Sequence, residues 1–187
     1  MKKQLVACML GLSAVSFGAE SLELGLLSPT QLHGPQSSVK GIRLGLLYTV
    51  NNNVEGLDIN IIANKQQNFK GLSLGSFYDR TEGNFTGVKL GWGLNSVGRN
   101  MKGAQFGLVN MVEGNTKGVQ FGAANFTETG LGAQFGFFNK AEQIRGLQFG
   151  FINMATNLQG IQIGLVNMAD NSELFEVLPI LNFNFKF

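Results

Sequence analysis

His33 is the single histidine of the chain and sits in the loop Pro29-Thr-Gln-Leu-His-Gly-Pro-Gln36, with Ser28, Ser37 and Ser38 close by in sequence. A histidine that takes a proton from a serine hydroxyl is the heart of hydrolase and acyltransferase chemistry. Nearness along the chain does not supply that geometry, and a lone histidine in a polar loop is far more often solvated. The chain is therefore read as no enzyme, with no catalytic residue. No metal site is expected either, because the sequence offers no histidine pair and a single cysteine, Cys8. The glycines invite a phosphate-loop reading, yet they alternate along strands and open no helix, so no cofactor is expected. A polar series carries more information. Glu23, Arg43, Asp58, Ser73 and Lys89 occupy the slot that later copies of a repeat fill with Gln105, Gln120, Gln134, Gln148 and Gln162. Groups of this kind on one face either line a small polar passage or recognition surface, or hydrogen-bond one another to satisfy buried polarity.

The repeat that places them is Gly-x-Gln-x-Gly-x-x-Asn. Its clearest copies begin at Gly103, Gly118, Gly132, Gly146 and Gly160, with degenerate copies at Gly41, Gly56, Gly71 and Gly87, and clear repeats span 41–167. Asp58 and Ser73 stand in the glutamine position of two early copies, which blurs the repeat boundaries there. Within each copy the side chains alternate with period two, the signature of a strand. At Gly146, strict alternation puts Leu147, Phe149, Phe151 and Asn153 on one face and Gln148, Gly150 and Ile152 on the other. Polar turn segments such as Ala169-Asp-Asn-Ser172 separate the copies. The fold class is all-β, one strand per repeat.

Met1 to Ala19 has a basic start, an apolar stretch and small residues before Glu20. It reads as a secretory signal peptide over 1–19, followed by a single β-repeat domain over 20–187. Without Lys2 and Lys3, 12 basic residues face 12 acidic ones. A neutral chain without a basic cluster offers no footprint for nucleic acid. Only 14% of residues are charged and mean hydropathy is +0.09, which fits neither a disordered chain nor a helical membrane protein. If Cys8 leaves with the leader, no disulfide remains to hold the fold.

Two architectures accommodate one strand and one turn per 14 to 16 residues. The first is an antiparallel transmembrane β-barrel of 10–12 strands, apolar outward, with the polar series lining its lumen. The alternative is a parallel β-solenoid with the Leu/Phe face in a dry core and Asn95, Asn110, Asn125, Asn139, Asn153 and Asn167 stacked as an amide ladder. A count of eleven strands is awkward for the barrel, since antiparallel closure needs an even number: either Ser21 to Leu27 is not a membrane strand or a further strand lies between Pro29 and Lys40. Against the solenoid stands its nearly uncharged exterior. The closing strand 177–187 alternates Leu181, Phe183, Phe185 and Phe187 against Asn182, Asn184 and Lys186. It resembles the last strand of bacterial outer-membrane barrels, in which Phe183, Phe185 and Phe187 would serve as the assembly signal. The tandem Gly-x-Gln-x-Gly-x-x-Asn units resemble a surface-repeat family of diderm bacteria. That resemblance implies an outer-membrane or cell-surface location and transfers no ligand. On the barrel reading the protein is a structural surface protein or a narrow, porin-like passive pore, with outer-membrane lipid, the barrel-assembly machinery and small polar solutes as partners. On the solenoid reading it is a secreted or surface-attached module that binds partners or itself.

Overall fold

The computed structural model describes residues 21–172 and 175–185; the expected signal peptide over 1–19 and Phe187 of the expected assembly signal lie outside them. The described chain is all strand and turn and winds as a parallel β-solenoid. Strands β1 (Leu22–Leu27), β2 (Thr30–Gln31), β3 (Val39–Asn60), β4 (Ala63–Leu74), β5 (Tyr78–Thr81), β6 (Phe85–Leu90), β7 (Leu94–Val97), β8 (Met101–Phe106), β9 (Val109–Ala169) and β10 (Val177–Asn184) follow one another. The long β3 and β9 are continuous strand running through successive coils.

This overturns the transmembrane barrel. Sequence neighbours pair in parallel, not antiparallel: Gly56 lies opposite Gly71, Gly71 opposite Gly87, Gly87 opposite Gly103 and Gly103 opposite Gly118. Each repeat is one coil stacked on its predecessor, and no even strand count is needed. The same register settles the two blurred copies, because Asp58 lies opposite Ser73 and Ser73 opposite Lys89. Between Pro29 and the start of β3 at Val39 the chain supplies only the short β2, antiparallel to β1.

The first glycine of each copy explains its own presence. Gly41, Gly56, Gly71, Gly87, Gly103, Gly118, Gly132, Gly146 and Gly160 all have positive φ, between 128° and 150°. A Cβ at Gly132 would lie 1.9 Å from the Gly118 carbonyl oxygen, and one at Gly146 would lie 1.9 Å from that of Gly132. No other residue tolerates both the dihedral and the contact.

The solenoid reading also requires one correction: the Leu/Phe face is not the core. Gln148 and Asn153 are buried, whereas Phe149 and Phe151 are 52% and 51% exposed. Strict alternation fails because the chain bends after the second glycine, where the successive residues Phe151 and Ile152 both face outward. That single break moves Asn153 to the same interior as Gln148. Apolar packing is confined to one side of the interior, with Val54, Phe69, Phe85, Met101 and Val112 in the early coils and Ala141, Ile144, Ala155 and Leu158 in the late ones.

The parallel stack is closed by antiparallel strands. β10 pairs with the last coil of β9, with Leu181 opposite Ile163 and Phe183 opposite Ile161. Its side chains alternate as the sequence suggests, Asn182 and Asn184 inward and Leu181, Phe183 and Phe185 outward.

Candidate functional site

The polar series stacks in the interior of the solenoid. Glu23, Arg43 and Asp58 are fully buried, Ser73 and Lys89 are 1% exposed, and Gln105, Gln120, Gln134, Gln148 and Gln162 are at most 1% exposed. In the late coils each glutamine amide donates to the one before it: Gln134 Nε2 to Gln120 Oε1 at 2.9 Å, Gln148 to Gln134 at 2.8 Å and Gln162 to Gln148 at 2.8 Å. A second bond from Gln162 Nε2 reaches the Met168 carbonyl at 2.9 Å. The asparagines run the other way. Asn110 Nδ2 donates forward to Asn125 Oδ1 at 2.8 Å and to the Phe121 carbonyl at 2.8 Å, and Asn125, Asn139 and Asn153 repeat the pattern. The second glycine of the repeat makes room for this amide, since a Cβ at Gly122 would sit 2.7 Å from Asn110 Nδ2. β10 terminates both ladders: Asn182 Nδ2 donates to Gln162 Oε1, and Asn167 Nδ2 donates to the Leu178 carbonyl.

In the early coils the same columns hold ions. Arg43 grips both oxygens of Asp58 at 2.6 Å and donates to Gln66 Oε1 at 2.7 Å. Gln66 Nε2 passes on to Asp79 at 2.9 Å, which Lys89 Nζ meets at 2.8 Å. Burial alone pushes the Asp79 carboxyl up, but the Lys89 ammonium with the Ser73 and Gln66 donors overrides it and holds the group below its ordinary value. Burial lowers the Lys89 ammonium below the usual lysine range, against the pull of Asp79.

His33 closes the N-terminal end. Its Nδ1 contacts Glu23 Oε2 at 2.9 Å and its backbone N–H donates to the same oxygen at 3.1 Å. Ser37 Oγ instead donates to the Gly34 carbonyl, and Ser38 Oγ accepts from Asn53. Among the described residues no group of three or more His, Cys, Asp or Glu side chains is placed to hold a metal. No helix among them is long and apolar enough to cross a membrane.

With the polar series stacked in the interior, the surface left to act is the exterior. Between the first glycine and the inward asparagine of each coil, the outward side chains are apolar or small, and none is charged. Leu108, Phe137 and Leu165 are 58%, 56% and 62% exposed. Phenylalanines stack along the rod, with ring centroids 4.9 Å apart for Phe106 and Phe121 and 4.5 Å for Phe137 and Phe151. The result is a strip about 43 Å long at the ~4.8 Å spacing of paired strands. Charges occupy the remaining perimeter in rows. The residue before the first glycine is Lys40, Glu55, Lys70, Thr86, Lys102, Lys117 and Arg145 in seven copies, all exposed and in register where the strands pair, and Leu131 and Gln159 in the other two. The acidic residues Glu82, Glu113, Glu128, Glu142 and Asp170 form a row beyond the buried asparagines. Reading faces within single copies missed these rows. Aligning the copies column by column and noting charge in each column would have revealed them.

No protein-family model, no curated protein and no solved structure matches the chain.

Proposed function

We propose that the protein is an exported, non-enzymatic β-solenoid that works at the cell surface as a binding or self-associating module, with the apolar strip as its working face. The observation that carries this reading is the segregation of side chains: the polar series is stacked inside and, but for a few buried atoms, hydrogen-bonded there, while a continuous uncharged apolar face is turned outward. Solvated monomers rarely display a patch of that extent without a partner for it. The signal-peptide-like start and the tandem surface-type repeats support export to the envelope of a diderm bacterium. Among the described residues the amide ladders and the ionic network occupy the coil interior, which favours this reading over a passive pore.

The test is cell fractionation with surface proteolysis. The unaltered chain is expected to stay with the envelope and to be cleaved on intact cells. A variant carrying Phe137→Ser, Phe151→Ser and Leu165→Ser, folded by circular dichroism, is expected in the medium. Retention of the folded variant at the envelope would overturn the proposal.

A further inference from the structure

We infer that the apolar strip is seated on a lipid bilayer bearing anionic headgroups, the rod lying on its side; this rests on the strip being the working face. Three features select lipid over a second copy of the chain.

The first is charge around the strip. One long border is the row Lys40, Lys70, Lys102, Lys117 and Arg145, in which the only acid, Glu55, is already paired with Lys70 at 2.8 Å. The opposite border, the residue after each buried asparagine or its equivalent Asp79, holds Lys65, Arg80 and Lys140, of which Lys65 pairs with Glu82 at 3.1 Å and Arg80 with Glu113. Two strips placed face to face with their lysine rows together would meet like charge, and like charges at a seam oppose association. Anionic headgroups satisfy the lysine row, while the long lysine stems lie along the apolar surface and lift their ammonium groups to headgroup level.

The second is shape. The strip turns a corner where Phe151 and Ile152 both point outward. Two convex faces touch along a line, whereas a fluid bilayer fills around a convex one. The third is a recess of about 430 Å³ opening on the strip, walled by Ile59, Ile61, Leu90, Trp92 and Phe106. Its walls suit an acyl chain. Trp92 at its mouth is 65% exposed and belongs to the residue type that concentrates at membrane interfaces.

The only tryptophan in the chain thus reports on the strip without modification. Purified protein is titrated with vesicles of phosphatidylcholine alone and of phosphatidylcholine mixed with phosphatidylglycerol, and followed by Trp92 emission and flotation. The expected result is a blue shift and flotation with the anionic vesicles, weakened by salt. Lys102→Gln, Lys117→Gln and Arg145→Gln together should lower that affinity about a hundredfold, at about fivefold per charge removed. Phe137→Ser with Phe151→Ser should abolish flotation while circular dichroism is unchanged. Equal binding to both vesicle types, or indifference to the triple substitution, would overturn the anionic-lipid assignment. Absence of flotation together with a dimer in sedimentation equilibrium that Phe137→Ser and Phe151→Ser dissolve would overturn lipid while leaving the strip as the working face. A monomer that binds no vesicle overturns the inference as well.

Discussion

The early and late coils solve the same problem with different chemistry. Both bury polar side chains in the same columns of the same backbone, but the late coils use neutral amides and the early coils use ions. An amide carries a donor and an acceptor, so an identical residue can be stacked without limit, each link handing its unused half to the next. An ion carries one kind only and must alternate with its opposite, as Arg43, Asp58, Lys89 and Asp79 do. The junction shows the mismatch. Glutamine links donate backward, so Gln105 Nε2 faces Lys89, which has only donors; asparagine links accept from behind, so Asn95 Oδ1 faces Asp79, which has only acceptors. Both atoms are buried without a partner. The repeat is thus extensible in the late half and specified residue by residue in the early half.

The largest effects are expected at that junction. Asp79→Asn or Lys89→Gln alone strands a buried opposite charge and should cost about 3–5 kcal/mol. The two together convert the rung to amides, give Gln105 and Asn95 their missing partners and should recover most of that loss. Denaturant midpoints of the two single variants and the double variant decide it, and simple additivity would break the comparison. Next in size is Gln134→Leu, which orphans Gln120 Oε1 and takes one of two acceptors from Gln148 Nε2, leaving it the Met154 carbonyl. At about 1–3 kcal/mol per unsatisfied group, it should exceed Gln105→Leu, because Gln105 already has an idle donor.

Acid should separate the halves next. Asp79 is held below its unfolded value, so its contribution is fully present above about pH 4 and is lost as pH falls through the folded value. Hydrogen exchange below pH 4 should open the coils around Asp79 and Lys89 before those from Gly118 to Asn167, where the stacked interior amides do not titrate. The smallest effect is expected at Lys70 and Glu55, whose 2.8 Å separation equals that of Lys89 and Asp79. In water the same geometry is worth little, and Lys70→Ala should leave the denaturant midpoint unchanged.

Much of this was legible in the sequence. The period, the all-β class, the asparagine ladder and the switch from charged to amide residues at the glutamine slot can all be read from aligned copies. Which face turns inward could not be read, since alternation shows that two faces differ without saying which one is buried. The usual rule favours Phe149 over Gln148 for the interior. It fails because stacking in parallel register links the amides of the late coils to one another, a property of neighbouring coils that no single strand displays. The parity of Asn153 was hidden for a related reason: a bend that shows two consecutive side chains to solvent is invisible to a period-two reading. Parallel against antiparallel pairing was likewise undetermined, because both produce one strand per 14 to 16 residues.

The central claim is that consecutive repeats are consecutive parallel coils, and electron-spin distance measurement tests it most directly. Leu47, Leu108 and Leu165 occupy one outward column, Leu108 and Leu165 four coils apart and Leu47 and Leu165 eight coils apart by the register of the pairs between them. In a Cys8→Ser background, spin labels at Leu108→Cys and Leu165→Cys should lie about 19 Å apart, and labels at Leu47→Cys and Leu165→Cys about 38 Å apart, at ~4.8 Å per coil. Distances that double in this way establish the rod; a Leu47–Leu165 distance as short as or shorter than the Leu108–Leu165 distance would mean that the ends meet in a ring, and would contradict it.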